Sequence, residues 1–236
     1  LVLHEQNSVA GMANKVLAGV ADRVFTAFPD VIKGAAWCGN PLREPFLTAQ
    51  APQQRFSARQ GRLRLLVLGG SLGAQALNER VPKALSLMAQ DQRPTVVHQS
   101  GERQIDALRA SYLAAGVEAE LTPFIDDTAR AMAEADLVIC RAGASTVTEI
   151  AAVGTAALFV PFPFAVDDHQ THNARFLVDK AAAWLMPQDQ LTPESLAQWL
   201  TGLDRSTLQE KATRARALAK LDATQELVLA CEALKP

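Results

Sequence analysis

The chain has 236 residues, 49% of them apolar and 20% charged, with 23 Lys plus Arg against 25 Asp plus Glu. That length allows one large domain or two small ones, and that composition can bury a core, which excludes a disordered tail. A formal net charge of −2 lacks the basic excess of a nucleic-acid binder; no apolar run approaches the ~20 residues of a membrane span, and no basic-then-apolar segment reads as a signal peptide.

The chain opens Leu1-Val2-Leu3-His4, without Met, as though inside a strand. A helix over 11–20 and two short apolar stretches around Phe25 and Trp37 follow, so 1–40 reads as the tail of an α/β domain. Residues 41–62, with Pro41, Pro45, Pro52 and several Gln and Arg, have the composition of a linker. Strands are expected at 64–68, 95–98, 118–124, 137–140, 157–160 and 183–186. They alternate with helices at 74–89, 102–115, 127–135, 145–154 and 168–180; in the first, Leu77, Val81, Leu85 and Met88 fall at helical spacing. Such alternation predicts parallel βαβ units with right-handed crossovers and helices on both faces, a doubly wound domain over 64–187. Residues 192–234 read as helical, begun by Thr192-Pro193-Glu194-Ser195. The Lys- and Arg-rich run 211–220 reads as a solvated helix face. Cys38, Cys140 and Cys231 are scattered without CxxC spacing, which suits free thiols in a reducing compartment.

Ligands of doubly wound folds bind at the carboxyl ends of the strands, so the loops there are the places to search. The first is Gly69-Gly70-Ser71-Leu72-Gly73-Ala74. Its glycines let a phosphate approach amides at a helix N-terminus, and Ser71 adds a hydroxyl. A plain glycine turn is the alternative, and no Gly-Lys-Ser/Thr makes it a Walker loop. The second is Arg141-Ala142-Gly143-Ala144-Ser145-Thr146, with Glu149 about one turn into the next helix. A carboxylate there suits a ribose diol, or simply complements the helix dipole. Two anion-type loops at one end of a sheet favour binding.

The third loop, 161–170, ends in Asp167-Asp168-His169-Gln170. It reads as a metal site with His172, as an N-cap by Asp167 or Asp168, or as sugar recognition by His169 and Gln170. Asp126-Asp127 reads as a cap. His4-Glu5-Gln6-Asn7 either faces a cleft or is a polar loop with Asn7 or Ser8 capping a helix. His98 reads as a satisfied structural histidine or as a group near substrate.

Taken in order, HEQNSVAGMANK, GNPLR, GGSLGA, FIDD, RAGASTVTE and PFPFAVDDHQTHNA resemble the MurG family, glycosyltransferases of family 28 with the GT-B fold. The resemblance runs from residue 1 to the C-terminus. It implies an α/β chain with one complete Rossmann-like domain and a remnant of a second: 1–42 from an acceptor domain, 43–220 binding UDP-GlcNAc, and 221–236 a helix returning to the acceptor domain. The implied activity is inverting transfer of GlcNAc from UDP-GlcNAc to the 4-hydroxyl of MurNAc in lipid I. Lipid I is undecaprenyl-pyrophosphoryl-MurNAc-pentapeptide, and the product is lipid II. This is a step of peptidoglycan synthesis, and so of cell shape and division, at the cytoplasmic side of the inner membrane. No cofactor or metal is implied, since helix dipoles can take the charge of the leaving diphosphate.

The resemblance also assigns roles. Glu149 holds the ribose, the Ile125 backbone meets uracil, and Arg43 lies close to the nucleotide. Gly70, Ser71, Leu72 and Gly73 face the diphosphate. Ala144, Ser145 and Thr146 line sugar and phosphate. His169 and Gln170 contact the GlcNAc hydroxyls, and Asn7 reaches the sugar from across the cleft. Many relatives have Gln at the place of His169. The family's GGTGGH-like loop and the histidine proposed as catalytic base have no counterpart here. Roughly the first third of the family's length is therefore expected to be missing, with its membrane-associating surface, and the chain to bind donor without transferring it. His4 is the sole nearby candidate base, and none is assigned. The final helix, 224–234, would turn Leu227, Ala230 and Leu234 toward the acceptor domain. Two other readings stand beside this one: a nucleotide-sugar-binding subunit that recruits a separate acceptor subunit, and a UDP-sugar epimerase, which needs catalytic carboxylates between its halves.

Overall fold

Two parallel sheets, of three and six strands, order the chain. The computed structural model describes residues 1–70, 74–165 and 168–234. In the small sheet β1 (Val2–Glu5), β2 (Arg23–Thr26) and β3 (Ala36–Trp37) pair in that order, and α1 (Met12–Leu17) is the crossover between the first two.

The segment 41–62 is more than a linker. It forms α2 (Glu44–Leu47) and α3 (Pro52–Ser57). Pro45 and Pro52 sit in their first turns, where the missing N–H removes no helical bond. Two of the three prolines that suggested irregular chain are helix starts.

The large sheet contains β4 (Arg64–Leu68), β5 (Thr95–Gln99), β6 (Glu120–Thr122), β7 (Leu137–Cys140), β8 (Ala156–Phe159) and β9 (Trp184–Leu185). Between them run α4 (Gln75–Leu87), α5 (Ile105–Ala115), α6 (Thr128–Glu134), α7 (Ala144–Val153) and α8 (His169–Val178). Every strand pair is parallel, and the spatial order is β6-β5-β4-β7-β8-β9. The expected alternation is present, and the order reverses between β4 and β7.

Successive strand residues point to opposite faces, and both faces are buried. Leu65, Val67, Ile139 and Leu158 join a core with Leu77, Val81 and Leu85 of α4 and Leu108 of α5. Leu66, Val138, Cys140 and Phe159 join another with Met132 of α6, Ile150 of α7 and Leu177 of α8. This double burial is why the strands are apolar runs in the sequence.

Three helices close the chain: α9 (Pro193–Thr201), α10 (Arg205–Ala217) and α11 (Ala223–Glu232). A capping box starts α9, with Ser195 N–H donating to Thr192 Oγ1 at 3.1 Å and Thr192 N–H to Ser195 Oγ at 3.0 Å. The run 211–220 is only partly a solvated face. Leu208, Ala212 and Ala215 are buried, Lys211 Nζ lies 4.9 Å from the Trp184 ring centre, and Arg216 is half-buried, because α10 packs on α3, α7 and β8.

Arginines brace the underside of the large sheet. Arg55 of α3 is buried and donates to the carbonyls of Gln50 (2.9 Å), Ala133 (2.7 Å), Val153 (2.8 Å) and Gly154. It thereby satisfies the ends of α6 and α7 together. Asp136, fully buried at the start of β7, pairs with Arg59 at 2.8 Å and Arg205 at 3.3 Å.

The chain passes between the two sheets at 38–43 and again at 218–222, and the two passages touch. Gly39 has φ +92°, and a Cβ on it would lie 2.5 Å from Lys220 Cβ. Lys220 Nζ rests 4.6 Å from the Trp37 ring centre. Beyond the second passage, Leu227 and Ala230 of α11 pack on Val2, Phe25 and Cys38 of the small-sheet region. Leu234 is 39% exposed.

Candidate functional site

Where strand order reverses, the chains leaving β4 and β7 diverge to opposite faces of the sheet and open a crevice. A pocket of about 280 Å³ lies there, lined by Arg43, Gly70, Ile125, Thr146 and Glu149 among others. Five residues picked from four separate motifs of the sequence thus meet in one place.

The first wall is the glycine turn. Gly69 N–H donates to Gln99 O at 2.9 Å. A Cβ on Gly69 would lie 2.9 Å from Gln99 O and 3.1 Å from Ala74 N, so no larger residue fits without moving backbone. Gly70 has φ +77°, a conformation that costs glycine least. Ser71, Leu72 and Gly73, expected to continue this wall, lie outside the described residues.

The second wall is the start of α7. Its N-cap, Gly143, is extended and supplies no side-chain cap. The amides of Ala144, Ser145 and Thr146 take no hydrogen bond among the described residues. Three unpaired N–H groups on a ten-residue helix make a local centre of positive potential.

One turn into α7, Glu149 is half-buried and makes no hydrogen bond or ion pair among the described residues. Burial pushes its carboxyl up to about 7, and the charge of Arg43 pulls it the other way. Arg43 Nη2 donates to Thr128 Oγ1 at 3.1 Å, and its guanidinium lies 5.3 Å from the Phe46 ring centre. Ile125 follows β6, and its backbone N–H and C=O are unpaired among the described residues.

An adjoining pocket of about 610 Å³ shares Gly69, Gly70 and Arg141 with the first and reaches Gln170. Gln170 Oε1 accepts from Phe162 N–H at 2.9 Å. A third pocket, of about 380 Å³, is lined by His4, Glu5, Gln6, Asn7 and His169. Asn7 and His169 therefore share a pocket across the gap between the sheets, while Gln170 opens toward the glycine turn.

Other expectations resolve locally. Asp127 caps α6, accepting from Arg130 N–H at 2.9 Å. Asp168 occupies the N-cap of α8 with φ +49°, but its Oδ1 accepts from the Thr171 hydroxyl at 2.7 Å rather than from a backbone N–H. Asp167 lies outside the described residues. His172 Nδ1 lies 3.1 Å from Asp168 O. Among the described residues no three His, Cys, Asp or Glu side chains gather as metal ligands. Neither Asn7 nor Ser8 caps α1, whose N-cap is Gly11. The buried Glu5 carboxylate collects the loop instead, accepting from Asn7 N–H (2.8 Å), Gly11 N–H (3.0 Å) and Asn14 Nδ2 (2.7 Å). His4 Nε2 lies 2.9 Å from Gly39 O.

His98 faces away from the crevice. Asn78 Nδ2 donates to Gln104 Oε1, which leaves Asn78 Oδ1 to accept from His98 Nε2–H at 3.0 Å; His98 Nδ1 then accepts from the Tyr112 hydroxyl at 3.0 Å. It is a structural histidine. Its neighbour Gln99 reaches the crevice. Sequence reasoning passed over Gln99, although the alternation of strand side chains and its place at the end of β5 pointed to it. Arg141 was also passed over as a side chain. Its Nη1 donates to Val160 O (3.0 Å) and Pro161 O (3.1 Å), and its Nη2 to Gln188 Oε1 (2.6 Å), which fixes the start of the third loop.

The model of the glycosyltransferase family 28 C-terminal domain matches residues 64–227. The UDP-N-acetylglucosamine–N-acetylmuramyl-(pentapeptide) pyrophosphoryl-undecaprenol N-acetylglucosamine transferase of Albidiferax ferrireducens is 68% identical over 98% of this chain and 60% of its own length. The protein of the same name from Polaromonas naphthalenivorans is 66% identical over 100% of this chain and 66% of its own. The chain thus spans 60% to 66% of the length of these curated relatives. The crystal structure of Acinetobacter baumannii MurG superposes with a TM-score of 0.90 at 43% identity, over 99% of this chain and 66% of that one. The calicheamicin glycosyltransferase CalG4 superposes with a TM-score of 0.60 at 18% identity, over 91% of this chain, a likeness of fold alone.

Proposed function

The chain belongs to glycosyltransferase family 28, and from that premise we propose that it is the donor-binding part of an inverting N-acetylglucosaminyltransferase that uses UDP-GlcNAc. The observation that carries this reading is Glu149, an unpaired, half-buried carboxyl beside an uncapped helix N-terminus and a glycine turn. A nucleoside diphosphate needs these groups together: an acceptor for a ribose diol and fixed amides for phosphate oxygens.

In this reading Glu149 accepts from the ribose hydroxyls and the free backbone groups of Ile125 pair with the uracil edge, with Arg43 alongside. Gly70 faces the diphosphate, a role that the resemblance also assigns to Ser71, Leu72 and Gly73. Ala144, Ser145 and Thr146 offer amides to phosphate and sugar. His169 and Gln170 contact the GlcNAc hydroxyls, and Asn7 meets the sugar from the opposite side. Residues 43–220 form the donor domain, 1–42 belong to an acceptor domain, and 221–236 return to it.

The reaction is displacement at the anomeric carbon. The 4-hydroxyl of MurNAc in lipid I attacks, the bond to the β-phosphate oxygen breaks, and its electron pair leaves with UDP. Negative charge builds on the diphosphate, where preorganised amides stabilise the transition state more than the ground state. The acceptor site and the base are expected from the part of the relatives' length that this chain does not span. The whole protein would act in peptidoglycan synthesis, held peripherally at the cytoplasmic face of the inner membrane. No helix among the described residues is long and apolar enough to cross a membrane.

Titration calorimetry of the chain with UDP and UDP-GlcNAc tests the reading. Saturable binding of both is expected. No heat from a folded chain would overturn it.

A further inference from the structure

Helix α8 presents His169, Asn173 and Phe176 at i, i+4 and i+7, one above the other on a single face. His169 lines the pocket it shares with His4, Glu5, Gln6 and Asn7. Phe176, two turns along, meets Phe28 and Trp37 edge to face, with ring centres 5.3 Å and 6.0 Å away. Asn173 lies between them and is wholly buried.

The amide of Asn173 joins three pieces of chain. Its Oδ1 accepts from Ser8 N–H at 2.9 Å and from the Ser8 hydroxyl at 2.7 Å. Its Nδ2 donates to Ala142 O at 3.2 Å and to Asn7 Oδ1 at 3.4 Å. The loop after β1, the loop after β7 and α8 are thereby held by one side chain. The first of these loops is already internally fixed by Glu5, so it is placed as a unit. A buried amide with both ends engaged allows little lateral play, because each shift strands a donor or an acceptor away from water.

We propose that Asn173 is a positioning residue that sets the distance between Asn7 and His169, and so decides how the sugar of a nucleotide-sugar is held while leaving the grip on the nucleotide alone. This rests on the donor reading above. Asn173 does not line the uridine-side pocket, with Arg43, Ile125 and Glu149. The two halves of the ligand should therefore respond separately.

Titration calorimetry with UDP and with UDP-GlcNAc, on the wild-type chain, Asn173→Ala, Ser8→Ala and the double variant, tests this. Asn173→Ala is expected to keep its UDP affinity within about twofold while the UDP-GlcNAc to UDP affinity ratio falls about tenfold, the scale of one or two lost hydrogen bonds. Ser8→Ala should lower the ratio several-fold, and the double variant should be no worse than Asn173→Ala, since both remove the same contact. If Asn173→Ala does not fold, the half-buried Ser8 carries the test by itself. An unchanged ratio in folded variants that still bind UDP overturns the positioning role and leaves the donor reading standing. A folded wild-type chain that binds neither ligand overturns the donor reading and the positioning role with it.

Discussion

Gln99 holds Gly70 by both sides of its backbone. Gly70 N–H donates to Gln99 Oε1 at 3.0 Å, and Gln99 Nε2 donates back to Gly70 O at 3.1 Å. The same Nε2 reaches Pro123 O at 2.9 Å. One amide thus fixes the glycine turn and ties it to the segment that carries Ile125, so two walls of the crevice share a support.

Removing that support should be felt in stability and in binding. Gln99→Ala is expected to destabilise the fold by about 1–2 kcal/mol, the net loss of hydrogen bonds to backbone groups that are only partly buried. It should also weaken UDP. Urea denaturation and calorimetry check the two effects, and an unchanged denaturation midpoint would count against the clamp.

Glu149 predicts a pH dependence. Burial raises its carboxyl to about 7, so the carboxylate forms as pH rises through that value. Uridine, which has no titrating phosphate, should bind more tightly above pH 7 than below it, and Glu149→Gln should flatten that dependence. Glu149→Ala should weaken UDP by about 1.5–3 kcal/mol, the scale of hydrogen bonds to a charged group. Stability has the opposite sign. From the ordinary value of 4.5 to about 7 the unfolded chain holds fewer protons at this site than the folded one. The contribution of Glu149 to ligand-free stability is therefore lost as pH rises across that window, and Glu149→Gln should remove that slope from denaturation curves.

His98 predicts acid sensitivity. Burial lowers its pKa from 6.5 to about 3, so the folded state keeps it neutral while the unfolded state takes up a proton. Stability is full above 6.5 and lost as pH falls toward 3. His98→Gln should lower stability at neutral pH and reduce the decline between neutral and acid, read from urea midpoints. An identical decline in both proteins would place the acid sensitivity elsewhere.

Arg55 carries the brace beneath the sheet. Arg55→Met keeps most of the packing but strands the four carbonyls that it now satisfies. It should cost about 3 kcal/mol or more. Gly154→Ala should also destabilise, because its φ is +67° and a Cβ would lie 2.6 Å from Pro52 Cγ and 2.8 Å from Arg216 Cβ. Denaturation midpoints for both check the brace.

The alternation of strands and helices is legible because doubly buried parallel strands must be apolar throughout, and the loops to search follow from the carboxyl-end rule. Gly70, Glu149 and Ile125 could be picked from the sequence on those grounds or from the resemblance. What escaped depended on which way a side chain faces or on partners far apart in the chain. His98 drew attention by its chemistry, but the face of β5 on which it sits turns it toward Asn78 and Tyr112, while Gln99 turns to the crevice. Asn173 meets Ser8 across 165 positions, a pairing that no local periodicity encodes. Asn7 and Ser8 looked like caps because the sequence does not reveal that Glu5 gathers the N–H groups of their loop.

The contact of Gly39 with Lys220 bears on how the two sheets can move. Bodies joined by two separate tethers can slide or shear; bodies whose tethers meet at a point can only swing about it. With both passages in contact and Trp37 beside Lys220, the tethers leave only a swing, and the bridge from Asn173 to Ser8 at the far rim of the cleft takes that swing away.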